Sequence, residues 1–197
     1  MPAGKDELLV GGTRVRSTRA GVLNGTVVQQ LPRVEKFSVL ALRVVQPGLL
    51  GVPLDFLLPV SGHPRGLRLA IPLLKIFAPD IARVHLLMVK QPALISSRLL
   101  PHPVREQLRS SGQTYSQRLE RELSDAIEMP PARLDATVVV SDDVAGEIIH
   151  HANRTKSRLI VFGASERSLA QRVLNRGPIE QVLRETPRDV AIYRGVP

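Results

Sequence analysis

Between Leu159 and Val182 the chain reads LIVFGASERSLAQRVLNRGPIEQV, an apolar run that stops at Gly163 and gives way to a stretch carrying Ser165, Arg167 and Gly177. A glycine directly after a buried strand lets backbone N–H groups and the first turn of the next helix face an anion, and a guanidinium beside them can grip two phosphate oxygens. The chemistry these residues suggest is phosphate binding. The same residues also build an ordinary strand-to-helix turn, in which Gly163 supplies a positive φ.

Other reactive side chains offer less. His150 and His151 are adjacent on a helical stretch, so they point about 100° apart and cannot chelate one metal as an i, i+4 pair would. Asp142 and Asp143 stand at a helix start, where acids serve as caps. Ser61 near His63 has no further triad context. The Arg118 to Glu122 run reads as a solvated helix face. There is no cysteine, which excludes disulfides, thiolate metal sites and cysteine nucleophiles. With no candidate base, the chain is expected not to be an enzyme.

The 197 residues, 43% hydrophobic, suffice for one sizeable core, or for one domain plus part of another. The net charge of +9 favours anionic partners. The basic residues are dispersed, however, and only 3% of residues are aromatic, so no stacking platform accompanies them and nucleic acid is not the expected ligand. MPAGKDELLVGG lacks the apolar run of a signal peptide. Arg43, Pro47, Pro53 and Asp55 interrupt the apolar stretch from Phe37 to Val60 below the roughly 20 residues of a spanning helix. A cytoplasmic location is the expectation.

The elements that must position these residues follow from periodicity. Strands are predicted at Leu54–Val60, Ala82–Val89, Asp135–Val140, Arg158–Gly163 and Asp189–Arg194. Helices are predicted at Gly66–Ala78, with Pro72 inside it, at Pro103–Ile127, at Ser141–Arg154 and, interrupted, at Leu169–Thr186. Alternating strands and helices with short connections imply a doubly wound, mainly parallel sheet covered on both faces.

DFLLPVSGHPRGLRLAIPLLKIFAPDIARVHLLMV, SRLIVFGASERS and GPIEQVLRETPRDVAIYR together resemble the universal stress protein domain, from about Leu54 to Arg194. The resemblance implies a five-stranded, Rossmann-like α/β sheet of the adenine-nucleotide alpha-hydrolase type. In many members ATP binds through a motif G-x2-G-x9-G-[S/T] after the fourth strand. It also implies a last strand that pairs antiparallel with its counterpart in another domain, and hence a homodimer. FGASERS is most similar to versions of the domain attached to membrane transporters such as amino-acid permeases and cation antiporters.

The chain also repeats itself. LLVGGTRVRSTRAGVLNGTVVQQL aligns with LIVFGASERSLAQRVLNRGPIEQVL, pairing Gly12 with Gly163 and Arg16 with Arg167, and SVLALR aligns with DVAIYR. Residues 1–45 therefore read as the last strand-helix-strand of a second such domain, residues 46–53 as a linker and residues 54–197 as a complete domain. In the first unit Gly12, Gly25 and Thr26 keep the family spacing while Val15 replaces the second glycine. In the second unit Gly163 is present, Glu166 replaces the second glycine, and Gly177 comes one residue late, before Pro178. A carboxylate at Glu166 faces a phosphate unfavourably, and Pro178 offers neither N–H nor hydroxyl. Ser61 stands where ATP-binding members commonly carry aspartate.

The expected ligand site is a pocket lined by Pro59, Val60, Ser61, Gly163, Ser165, Arg167 and Gly177, holding ATP or another adenine nucleotide through a degenerate motif. The alternative is a ligand-free structural dimerisation module.

Overall fold

The computed structural model describes residues 8–12, 38–45, 54–60, 65–92, 96–163 and 177–195. Its strands are β1 (Leu8–Gly12), β2 (Ser38–Arg43), β3 (Leu54–Val60), β4 (Ile81–Lys90), β5 (Leu134–Val140), β6 (Leu159–Gly163) and β7 (Asp189–Arg194). Its helices are α1 (Arg65–Phe77), α2 (His102–Ile127), α3 (Val144–Arg154) and α4 (Pro178–Glu185). They form one sheet in the order β1-β2-β7-β6-β3-β4-β5, parallel throughout except where β2 meets β7.

The central strands read as nearly continuous apolar runs because both of their faces are covered. In β3, Phe56, Leu57 and Leu58 are all buried. Leu57, with Leu87 and Ile160, packs under Ala145, Ile148, Val182 and Leu183 of α3 and α4. Phe56 and Leu58 pack on the other face under Leu73 and Leu74 of α1 and Leu119 and Leu123 of α2. Phe56 also meets Phe77 edge-on, ring centroids 5.9 Å apart. Helix α1 continues through Pro72, which lies on its exposed side.

The five parallel strands stand as the periodicity predicts, within a residue or so at their ends. The helix expected from Ser141 begins instead at Val144, because Asp143 caps it: its Oδ1 accepts a hydrogen bond from Gly146 N at 2.8 Å. Of the interrupted helix, residues 169–176 lie outside the described residues, and the described part begins with Pro178 at its first position, where a missing N–H costs nothing.

The added strands enlarge the expected five-stranded sheet to seven. β1 lies parallel to β2, and β2 pairs antiparallel with β7, Leu40 opposite Tyr193, Ala41 opposite Ile192 and Leu42 opposite Ala191. Val39 and Ala41 enter the core on one face and Leu40 on the other. Arg43 donates through one guanidinium nitrogen to the carbonyls of Thr186 and Arg188, at 3.0 and 3.2 Å, and Val45 N donates to Asp189 Oδ1 at 2.6 Å. The expected pairing of the two SVLALR-like strands thus occurs within one chain. Val22, Leu23, Val27 and Leu31, the apolar face read for the first unit's helix, lie outside the described residues. No helix among the described residues is long and apolar enough to cross a membrane.

Candidate functional site

Successive connections carry α1 and α2 to one face of the sheet and α3 and α4 to the other. The order reverses between β3 and β6, which are adjacent although two strand-helix units separate them in sequence. At such a reversal the helices diverge and leave a crevice at the carboxyl ends of the strands. Here it is a cleft of about 400 Å³, within the range of small-molecule sites.

Its floor is the end of β3, Leu58, Pro59 and Val60, beside Leu87 and Val89 of β4 and Phe162 and Gly163 of β6. Leu67 and Ala70 of α1 close one side, and Val144, Ile148, Pro178 and Ile179 of α3 and α4 close the other. Gln91 is the one polar side chain among these lining residues. Among the described residues, apolar side chains with a single amide line the cleft, a surface that suits a flat, weakly polar ring.

Of the predicted site residues, Pro59, Val60 and Gly163 meet in this cleft. Gly177 stands at the start of α4, just before Pro178 and Ile179, with φ −71° and ψ 172°. This is extended backbone open to any residue, so Gly177 is not required there for its freedom. Gly12 does not join them. It lies in β1, separated from β6 by β2 and β7, on a strand running the opposite way, with open space around it. Ser61, Ser165, Arg167, Gly25 and Thr26 fall outside the described residues, as does Glu166.

Of two polar groups near the cleft, one was not singled out from sequence and the other was given a different role. Gln91 has no motif around it, and only the topology reveals that the end of β4 lines the site. Asp142, read as a cap, does not cap α3. Its Oδ2 accepts hydrogen bonds from Ser96 Oγ at 2.8 Å, from Ser97 N at 2.8 Å and from Ser97 Oγ at 2.9 Å. These donors, the Ser96 hydroxyl foremost, hold its carboxyl below the usual carboxylate range.

The adjacent histidines separate as the helical angle requires. His150 is exposed while His151 is buried. His151 Nδ1 lies 2.9 Å from an Arg154 guanidinium nitrogen, and its ring meets the buried ring of His85 edge-on at 6.3 Å. His85 Nδ1 is 3.3 Å from Asp135 Oδ2. Since Arg154 can only donate, Nδ1 of His151 must be unprotonated. Burial, with the positive charge of Arg154 next, pushes its pKa down to about 4. No cluster among the described residues has the make-up of a metal site.

The profile of the universal stress protein family matches residues 55–194. The chain belongs to that family. Among solved structures it is similar to a universal stress protein from Archaeoglobus fulgidus, at 15% identity and a TM-score of 0.57 over 94% of this chain and 60% of that one. It is also similar to the universal stress protein UspA from Lactobacillus plantarum, at 18% identity and TM-score 0.53 over 73% of this chain and 99% of that one. A universal stress protein solved in complex with cAMP is similar at 17% identity and TM-score 0.51, over 74% and 99% of the two chains. Identities this low show the shared fold. No curated protein matches the sequence significantly.

Proposed function

We propose that this universal stress protein domain is a non-enzymatic, cytoplasmic sensor of adenine nucleotides that holds the base in the β3–β6 cleft and the phosphates only weakly. The observation that carries the reading is the cleft itself, a 400 Å³ apolar slot at the reversal of strand order, between Gly163 and Gln91. The described lining presents no titratable side chain, which supports binding over catalysis. The complex of a similar structure with cAMP supports an adenine nucleotide as the ligand class. The sequence likeness of FGASERS supports a module that reports nucleotide level to a membrane transporter.

Glu166 and Pro178 in the phosphate turn penalise a triphosphate more than a cyclic monoester, which carries a single charge. The expected affinity for Mg-ATP is therefore weaker than about 100 μM, or about −5.5 kcal/mol, with cAMP bound at least as tightly. Calorimetry with both ligands tests this. Micromolar ATP binding would overturn the degenerate-motif reading, and Glu166→Gly combined with Pro178→Ser is expected to strengthen ATP binding. No heat from either nucleotide at millimolar concentration would overturn the sensor reading. The alternative of a ligand-free structural module would then stand in its place.

A further inference from the structure

Asp142 sits between the end of β5 and the capping residue of α3, and it reaches across to the connection that leaves β4. Besides the three hydrogen bonds its carboxylate accepts from Ser96 and Ser97, its main-chain carbonyl accepts one from Gln91 Nε2 at 3.3 Å. The turn Ser97–Leu99 is gripped from its other side as well, where Arg105 in the first turn of α2 donates to Ser97 O at 2.6 Å. The neighbouring main chain is fixed too, with Ser141 N on Lys90 O at 3.1 Å. The carboxylate is ionised at neutral pH, so these are charge-assisted bonds, stronger than neutral ones.

This clamp joins two parts of one rim. Gln91 and Val144 both line the cleft; the main-chain carbonyl of Asp142 holds the side chain of the first, and its carboxylate ties Ser96 and Ser97 to a point two residues before the second. Here one carboxylate takes three donors from two consecutive residues. We propose that Asp142 is a positioning residue for the cleft, which fixes its mouth by tying the segment after β4 to the start of α3 and so sets how fast a bound ligand leaves. The proposal rests on the nucleotide-site reading and deepens it. Because the clamp forms part of the rim and not of the floor, its loss is expected in the dissociation rate, where most affinity differences between related complexes arise.

The test compares Asp142→Ala and Asp142→Asn in the full chain by two measurements. The first is backbone hydrogen exchange in the ligand-free protein at Ser97 and at Val144 to Ile148. The second is stopped-flow dissociation and association of a fluorescent cAMP derivative. For Asp142→Ala the expectation is exchange of the Ser97 amide faster by about tenfold, faster exchange at Val144 to Ile148, and dissociation faster by about fivefold at an association rate changed less than about twofold. Asp142→Asn keeps one acceptor oxygen and is expected in between. An unchanged dissociation rate with a deprotected Ser97 amide would overturn the proposal, reducing the clamp to a staple on a surface turn. If the unsubstituted protein does not bind the probe, the nucleotide reading has failed by itself. Exchange at Val144 to Ile148 then decides the clamp: acceleration upholds it as a positioning device, and no change overturns it. Should Asp142→Ala fail to fold, Ser97→Ala removes one donor to the same carboxylate and is judged on the same readings.

Discussion

His151 shows how one buried side chain sets a pH dependence for the whole fold. Its ring is enclosed by α3 and β4, and the charged or titratable groups around it are Arg154 and His150 on its own helix, His85 on β4 and Asp135 on β5. Unfolded, it titrates near 6.5, and folded near 4. A group kept neutral in this way contributes its full stability above the unfolded value and loses it as pH falls from about 6.5 to about 4. By linkage the loss is at most about 3 kcal/mol. Urea unfolding of the parent and of His151→Gln across this range is expected to give a shallower pH slope for the variant, and parallel curves would remove His151 as the cause. At this scale the sequence was legible where geometry is local. The 100° between adjacent helical residues already separated His150 from His151, and Gly163 is where a strand ends. It was opaque for Asp142 and Asp143. Two adjacent acids at a helix start look interchangeable, and only tertiary structure shows that Asp143 bonds its own helix while Asp142 bonds a turn 45 residues earlier.

At the scale of elements, the described helices are legible from a repeat matched to the face each buries, and β3 to β7 from short apolar runs of the kind that strands covered on both faces carry. Periodicity placed boundaries less well, since caps and proline starts decide those. It did not reveal how tightly elements approach. Gly112 lies buried in the middle of α2, facing β5, and a Cβ built there would stand 2.6 Å from Val138 Cγ1 and 3.3 Å from Val138 Cγ2 and Lys90 Cε. Alanine in place of glycine in a helix interior ordinarily gains about 1 kcal/mol. Val138, however, is branched at Cβ, stiff at χ1 and fixed in the sheet, and overpacking of this kind costs about 1–3 kcal/mol. Gly112→Ala is therefore expected to be neutral or destabilising, by up to about 2 kcal/mol. Chemical denaturation of Gly112→Ala with Val138→Ala, compared with each single variant, is expected to recover part of the loss. A clear stabilisation by Gly112→Ala alone would show that α2 stands farther from β5 than this.

For the whole molecule the decisive feature is the β2–β7 seam. Its register maps onto itself when the two aligned segments, SVLALR and DVAIYR, are exchanged: Val39 faces Arg194 as Arg43 faces Val190, Leu40 faces Tyr193 as Leu42 faces Ala191, and Ala41 faces Ile192 at the centre. This local two-fold relation sets the two aligned segments opposite one another about the Ala41–Ile192 pair. The sequence repeat makes these strands alike without saying whether they pair within one chain or between two, because a repeat fixes likeness and not connectivity. In this chain the partner strand is covalently attached, so the edge of β7 that would otherwise accept another copy is already filled. Removing residues 1–45 would leave β7 as an open edge carrying Val190, Ala191, Ile192 and Tyr193, all buried in the intact chain, and such an edge invites pairing. With the seam's register kept, two truncated chains would join antiparallel, Ile192 facing Ile192 and Val190 facing Arg194. Sedimentation of the truncated protein is expected to show a dimer, with a lower melting temperature at low protein concentration than the full chain, as mass action requires. A truncated protein that remains monomeric and melts as the full chain does would show that the first 45 residues neither cover nor stabilise the edge of β7.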